Sequence, residues 1–403
     1  MNNQLLHTPE GVRDIYNLEC ERKLCIQDRL HSLIKSFGYQ DIQTPTFEFF
    51  DIFNKERGSV ISKEMFKFID RDGNTLVLRP DITPSIARCA AKYYMDETMP
   101  LRFCYMGNTF INNSSYQGRL KETTQLGCEL IGDASAAADG EMIAIIIQCM
   151  LAAGLTEFQV EIGDVEFLRG LMEEAGIEDR EQSLRELIEK KNFFGVEELL
   201  VEAGVTEALR ERILTLQELF GSAGKLERAR ELAQNERSLR AVERLECIYE
   251  ILKVYRLNDY VSFELGMLGR YKYYTGVIFK AYTYGTGEMI VTGGRYDTLL
   301  QQFGKNSSSI GFAINIDQLM IALSRQKLLP ERKSGGALVL CEPECLKQAI
   351  VLAESLRKKG ETAELVQKAE ETELAGYLEY AGQHGRTEVR YVSAGEAVVY
   401  TLV

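Results

Sequence analysis

Residues 105–132 of the chain read YMGNTFINNSSYQGRLKETTQLGCELIG. The first part, Tyr105–Ile111, is rich in β-forming residues, and Leu126–Ile131 again alternates apolar positions. Between them, Asn112–Gly118 is a run of turn-forming residues. The pattern predicts two antiparallel strands joined by a long polar loop, and such a loop is a common place to hold a ligand. Taken alone, the pattern is equally that of an ordinary hairpin.

The composition is that of a globular protein with an acidic balance. The chain has 403 residues, 45% of them hydrophobic and 27% charged, which is enough for two or three domains with their own cores. The formal net charge is −13. Because binding to phosphates requires a basic face, this charge argues against nucleic acid as the main partner, although a local basic patch is compatible with the average.

The cysteines and the N-terminal residues indicate the cellular compartment in which the protein is expected. The nine cysteines are an odd number without paired C-x-x-C spacing, which favours buried thiols in a reducing cytoplasm. None of the three histidines lies beside a cysteine pair, which argues against a zinc site. The first residues lack the blocks of a signal peptide, and the apolar run Met142–Leu151 is shorter than the ~20 residues that a bilayer requires. We expect a cytoplasmic protein without a membrane partner.

The periodicity of apolar residues divides the chain into four predicted segments. Residues 1–164 and 259–329 mix strands with helices and are predicted to form two parts of one core. Residues 165–258 are helical, rich in charge and interrupted by glycines, which predicts a helical insertion. A solvated bundle is the simpler interpretation of its charges, and a partner-docking surface is the alternative. Residues 337–403 alternate strands with helices and predict a small C-terminal α/β domain.

Several short motifs carry a resemblance to a known family. In chain order they are T-P-E-G-V-R-D at 8–14, L-R-P-D-I-T at 78–83, Y-x-G-x-x-F with Q-x-G-x-E in 105–129, G-R-Y-K-Y-Y at 269–274 and S-I-G-F-A at 309–313. This order resembles the motifs of histidyl-tRNA synthetases over most of the chain. The resemblance implies an α+β fold, in which a class II aminoacyl-tRNA synthetase-like antiparallel sheet is flanked by helices, and a homodimeric core.

Three positions depart from the synthetase pattern. Where the family has arginines that bind the phosphates of ATP, this chain has Ile111, Gly269 and Gln318. Guanidinium groups stabilise the charge of the pentacoordinate phosphate, and loss of one preorganised donor costs about 10²–10³ in rate. The resemblance therefore implies that the chain is not an enzyme, has no catalytic residues and requires no cofactor or metal.

The amino-acid half of the synthetase pattern is retained. The positions that match the family's histidine-binding residues are Asp81, Thr83, Gln125, Glu129, Tyr273 and Tyr274. The resemblance implies that Asp81 and Thr83 hold the α-ammonium group and that Glu129 and one tyrosine hold the imidazole nitrogens, with the glutamine between the two groups. Core packing is the simpler interpretation of the two tyrosines.

A retained amino-acid pocket without phosphate-binding arginines is similar to one group of synthetase paralogues. These are the regulatory subunits of the short-form ATP phosphoribosyltransferase, the first enzyme of histidine biosynthesis. The resemblance implies a non-catalytic protein that assembles with the short catalytic subunit in a hetero-octamer, activates it and conveys allosteric feedback by free histidine. A divergent histidyl-tRNA synthetase is the alternative, and a paralogue that ligates an amino acid to a protein is a third; both require the phosphate-binding arginines.

Overall fold

A computed structural model describes residues 6–53, 60–113, 119–269, 273–331, 334–394 and 396–402. The chain divides into two compact units: Met1–Tyr16 with Lys23–Leu329, and Asn17–Arg22 with Pro330–Val403. Residues 165–258 fall within the first unit, so their separation as an inserted domain stays a prediction.

The strands of the first unit form two sheets. In chain order they are β1 (Gln40–Asp41), β2 (Phe47–Phe49), β3 (Lys67–Ile69), β4 (Thr75–Leu78), β5 (Leu101–Phe110), β6 (Glu122–Ile131), β7 (Phe158–Asp164), β8 (Phe220–Gly221), β9 (Val261–Glu264), β10 (Val277–Thr283), β11 (Val291–Arg295) and β12 (Ser309–Asn315). The main sheet has the order β1-β5-β6-β12-β11-β10-β7-β9-β8, and a small sheet has the order β2-β4-β3. Within the main sheet, only the β1–β5 and β7–β9 pairs of the described strands are parallel, so this sheet is largely antiparallel, as predicted.

Helices cover the main sheet. Up to Leu329 the described helices are α1 (Asn17–Ser36), α2 (Thr83–Tyr93), α3 (Ala136–Ala153), α4 (Val165–Ala175), α5 (Glu181–Glu189), α6 (Phe193–Glu202), α7 (Glu207–Leu214), α8 (Gly224–Leu232), α9 (Glu236–Tyr255) and α10 (Ile316–Arg325). The helices α4 to α9 occupy the charge-rich stretch that the sequence predicts to be helical. Their buried positions are mostly apolar, which leaves the charges on the outer faces.

Helix α3 begins earlier than the sequence pattern suggests. The apolar pattern predicts a helix from Glu141 capped by Asp139, but the Ser135 side chain is the cap, accepting a hydrogen bond from the backbone N–H of Ala138. Asp139 is fully buried within the first turn and binds arginine side chains instead. Among the described residues, α3 is the one helix that is long and apolar enough to cross a membrane. However, 67% of its 18 residues are buried inside the protein, as in a core helix.

The strands beside the predicted site extend differently from the prediction. The hairpin strands β5 and β6 are longer than Tyr105–Ile111 and Leu126–Ile131, because their pairing continues from Leu101 opposite Ile131 to Phe110 opposite Glu122. Most of the predicted polar loop, residues 114–118, lies outside the described residues. The strand predicted over 288–292 is instead β11, and its two glycines therefore lie inside the sheet.

The second unit is a small α/β structure. Its strands are β13 (Ala337–Cys341), β14 (Ala363–Gln367), β15 (Glu388–Ser393) and β16 (Glu396–Thr401), and its helices are α11 (Leu346–Lys358) and α12 (Leu374–Gln383). The sheet order is β14-β13-β15-β16, with the first three strands parallel and the last antiparallel. Strands and helices alternate as predicted. Strand β13 is buried on both faces, so each face of the sheet requires a helix to cover it.

Candidate functional site

The six residues predicted to bind histidine line one small cavity on the main sheet. They share this cavity with Tyr296 and with residues of β11 and β12, namely Thr292, Gly293, Gly294, Gly311, Phe312 and Ala313. Two come from the junction of β4 with α2, two from β6 and two from the residues before β10. The structure therefore brings together residues up to 193 positions apart in the chain, from Asp81 to Tyr274.

Glu129 lies at the centre of the hydrogen bonds in this cavity. Its side chain is only 1% exposed, and it accepts hydrogen bonds from the hydroxyl groups of Thr83 (2.7 Å) and Tyr296 (2.6 Å). Burial raises the pKa of Glu129 to about 8, although the two hydroxyl groups oppose this shift. A group of this kind can change its protonation state near neutral pH when a charged ligand enters.

Asp81 is the second buried carboxylate of the cavity. One of its oxygens accepts from the backbone N–H of Thr83 (3.2 Å) and the other from the hydroxyl group of Tyr273 (3.0 Å). Its negative charge contributes to the raised pKa of Glu129. Two buried carboxyl groups in one cavity favour a ligand that carries a positive charge.

Glycines allow Glu129 and Tyr274 to lie close to the neighbouring backbone. A Cβ atom at Gly311 would lie 1.6 Å from a carboxylate oxygen of Glu129, and one at Gly294 would lie 2.9 Å from the ring of Tyr274. Side chains at these positions would fill the cavity. The glycines of the G-G-R-Y-D motif at 293–297 and of the S-I-G-F-A motif therefore have a steric role that the sequence alone does not reveal.

Two features of the cavity were not predicted from the sequence. Tyr296 stands in the G-G-R-Y-D motif, but only the tertiary structure places its hydroxyl group on Glu129. The amide oxygen of Gln125 is buried and has no hydrogen-bond partner among the described residues. A buried acceptor without a partner is costly, so this oxygen is available to a ligand donor.

The positions predicted to replace the synthetase arginines make other contacts here. At Gly269 a Cβ atom would lie 2.4 Å from the ring of Tyr274, so no side chain fits beside that tyrosine. The amide of Gln318 accepts from the hydroxyl group of Thr286 (2.7 Å) and donates to Glu288 (3.3 Å). The backbone N–H of Ile111 bonds to the carbonyl of Lys121. These three residues supply no guanidinium group.

Arg295 is a buried link between the sheet and helix α3. Its side chain is 4% exposed and donates two hydrogen bonds to Asp139, the shorter being 2.6 Å, and others to the carbonyl groups of Asp133 and Ser135. Asp297 lies 3.5 Å away and accepts from the backbone N–H of Ser309 (2.8 Å). This geometry fits a structural role for Arg295 and Asp297.

Comparison with known proteins assigns the class. A family model described as histidyl-tRNA synthetase matches residues 11–319. A crystal structure of the histidyl-tRNA synthetase from a Nostoc species has a TM-score of 0.80 over 98% of this chain and 96% of that one, at 20% identity, which bears on the fold alone. The predicted class II synthetase-like α+β fold is confirmed.

More similar proteins narrow the assignment. An ATP phosphoribosyltransferase regulatory subunit from Acetivibrio thermocellus is 44% identical over 361 residues, covering 89% of this chain and 86% of the relative. A crystal structure from Bacillus halodurans described as an ATP phosphoribosyltransferase regulatory subunit/histidyl-tRNA synthetase has a TM-score of 0.86 at 34% identity, over 96% of this chain and 98% of that one. The chain belongs to the family of ATP phosphoribosyltransferase regulatory subunits.

Proposed function

We propose that this chain is a non-catalytic regulatory subunit that acts in histidine biosynthesis. It assembles with the short catalytic subunit of ATP phosphoribosyltransferase as a hetero-octamer around a homodimeric core, and it is required for full activity of that subunit. Free histidine, bound in the cavity around Glu129, is the feedback effector. The protein works in the cytoplasm, without nucleic acid or membrane as a partner. The family membership supports the regulatory role, and the cavity supports the identity of the effector.

The arrangement of acceptors in the cavity carries the proposal for histidine. Asp81 and Glu129 offer carboxylate oxygens, and Gln125 offers a buried amide oxygen without a partner among the described residues. An α-ammonium group has three donors, and imidazole presents one or two more depending on its protonation state. Histidine therefore supplies N–H donors for more than one acceptor of the same cavity. An amino acid with an apolar side chain would leave the acceptor that binds the imidazole group without a hydrogen bond.

Binding requires the cavity to open. Its volume of about 20 Å³ has room for about one water molecule. A groove of about 660 Å³ adjoins it and shares Tyr274, Thr292 and Gly293 as a wall. Opening gives the effector a way to act at a distance, since a ligand shifts an equilibrium only when it binds one of two conformations more tightly.

A double substitution in the cavity tests the effector site. Glu129→Gln with Tyr273→Phe is expected to raise the histidine concentration for half-maximal inhibition of the reconstituted complex by about tenfold to a hundredfold, since an unpaired buried group costs ~1–3 kcal/mol. Inhibition is measured by initial rates at fixed subunit concentrations. Assembly, measured by sedimentation, is expected to stay intact.

The matched control is Glu227→Gln with Tyr284→Phe, which makes the same chemical changes at exposed positions. It should leave the histidine dependence unchanged. Unaltered inhibition in the Glu129 and Tyr273 variant would place the effector site elsewhere. Failure of both variants, the control included, to activate the short catalytic subunit would contradict the regulatory role itself.

Nucleotide binding separates this proposal from a divergent histidyl-tRNA synthetase. We expect no binding of Mg-ATP or tRNA to the isolated chain, because Ile111, Gly269 and Gln318 supply no phosphate ligand and the net charge is −13. Arg119 is near Gln318 but is paired with Glu288 at 2.7 Å. Calorimetry with Mg-ATP and an ATP–pyrophosphate exchange assay with histidine measure the two activities. Micromolar ATP affinity or histidine-dependent exchange would favour the synthetase.

A further inference from the structure

A histidine, an aspartate and a cysteine side chain lie close together at a place outside the cavity. The Nε2 atom of His31 lies 2.5 Å from Oδ1 of Asp41, and the Sγ atom of Cys104 lies 3.5 Å from that oxygen and 3.9 Å from Nε2. All three ligand atoms are within 4.8 Å of one another. Among the described residues, this is the one group of three or more histidine, cysteine, aspartate or glutamate side chains that lie close enough together to hold a metal ion.

The fold explains why these residues meet. Strands β1 and β5 run parallel with Asp41 directly opposite Cys104, so their side chains project from the same face of the sheet. Helix α1 crosses this face and places His31 above the pair. Lys35, one turn later, donates to the other carboxylate oxygen of Asp41 at 2.7 Å. The backbone thus fixes all three ligand positions.

The geometry is not that of a catalytic relay. In a cysteine–histidine–aspartate triad the two ring nitrogens contact different partners, one the sulfur and the other the carboxylate. Here the same nitrogen, Nε2, is the ring atom nearest both Asp41 and Cys104. Three ligand atoms within 4.8 Å of one another, from a histidine, an aspartate and a cysteine, are instead an arrangement that a metal ion can bind.

We propose that Nε2 of His31, the carboxylate of Asp41 and Sγ of Cys104 bind a divalent transition metal of the zinc type, with water as the fourth ligand. Thiolate and imidazole ligands favour zinc over magnesium or calcium. Tetrahedral zinc with ordinary bond lengths separates sulfur from nitrogen or oxygen by roughly 3.5 Å and nitrogen from oxygen by roughly 3.3 Å. The Sγ–Oδ1 distance of 3.5 Å already fits, whereas the 3.9 Å between Sγ and Nε2 must shorten by about 0.4 Å and the imidazole and carboxylate must move apart.

Accessibility and charge are consistent with an open site. The Asp41 side chain is 54% exposed and that of His31 29%, so an ion can enter from solvent, while Cys104 is buried beneath them. Burial and the charge of Asp41 raise the pKa of Cys104 to about 12, and Lys35 partly opposes this. The other titratable groups facing it are His31 and Cys128. The empty site therefore holds a thiol, whose proton the metal must displace.

The site is independent of the proposed effector cavity. Cys104 lies on the opposite face of β5 from Phe103, which is paired with Glu129. A metal ion would join α1 to the back of the strand without contacting a cavity residue. The sequence argued against zinc because no histidine lies beside a cysteine pair, but these ligands are separated by 10, 63 and 73 residues.

Cobalt(II) is the probe for the test, because a thiolate ligand produces a sulfur-to-cobalt charge-transfer band and tetrahedral geometry gives intense visible bands. The full chain is titrated in the Cys247→Ser background, which removes the exposed thiol. We expect one cobalt ion per chain with both spectral features, displaced by one equivalent of zinc. No charge-transfer band, or octahedral cobalt alone, would overturn the proposal.

Substitutions assign the ligands. His31→Gln in the same background is expected to weaken zinc binding, measured by competition with a chromophoric chelator, by at least the ~10–100-fold that loss of an outer-shell partner costs. His384→Gln, which changes a histidine of the second unit, is the control and should bind zinc like the parent. Cys104→Ser should abolish the charge-transfer band. If the serine variant does not fold, Asp41→Asn keeps the thiolate and should instead weaken zinc binding in the chelator competition. Equal affinity in the His31 and His384 variants would overturn the assignment.

Discussion

Arg295→Ala is expected to lower the free energy of unfolding by about 3–5 kcal/mol, because it leaves the carboxylate of Asp139 buried beside an empty space. Asp139 is fully buried, and its other cationic partner, Arg244, is partly exposed. The two carbonyl groups of Asp133 and Ser135 lose a donor at the same time. The measurement is chemical unfolding followed by circular dichroism.

Two further variants separate the buried charge from the loss of side-chain volume. Arg244→Ala removes the more exposed partner of Asp139 and should cost less. Arg295→Met combined with Asp139→Leu removes both buried charges and should recover part of the stability that Arg295→Ala loses. If Arg295→Ala unfolds like the parent protein but no longer responds to histidine, Arg295 has a regulatory role and not a structural one.

Glu129 is expected to make the protein less stable as the pH rises from about 5 to 8. In the unfolded chain its pKa has the ordinary value of 4.5, whereas in the folded protein burial raises this pKa to about 8. Between these values the folded state holds a proton that the unfolded state has lost, so the unfolding free energy falls with increasing pH. The loss due to this group by pH 8 is on the order of 4 kcal/mol.

Glu129→Gln isolates this contribution, since glutamine keeps the shape of the side chain but does not ionise. The difference between the unfolding free energies at pH 5 and pH 8 should shrink in this variant. Asp164, whose pKa burial raises to about 7, contributes with the same sign and remains in both proteins. The exposed substitution Glu227→Gln should leave the difference unchanged. An identical pH dependence in the Glu129→Gln variant would mean that Glu129 is ionised in the folded protein.

Local sequence patterns are sufficient to predict most of the helices and strands. The alternation of strands and helices after residue 337 and the hairpin of β5 and β6 follow from periodicity and turn residues. The errors have local causes too. The start of α3 was misplaced because Ser135, a better cap than Asp139, precedes a run of small residues that carries no apolar signal. The pattern places strand β11 too early because glycines have low strand propensity, although close packing against Phe279 and Tyr274 requires Gly293 and Gly294 there.

The sequence by itself determined the class of the fold and the identity of the cavity residues, because motif order and residue type survive without coordinates. Only the tertiary structure decided how those residues bond to one another. It placed the hydroxyl group of Tyr296 on Glu129, left the oxygen of Gln125 without a partner among the described residues, and gathered His31, Asp41 and Cys104 at one point. The reason is physical: periodicity reports which face of an element is buried, whereas hydrogen bonds and metal ligands depend on distances between atoms far apart in the chain.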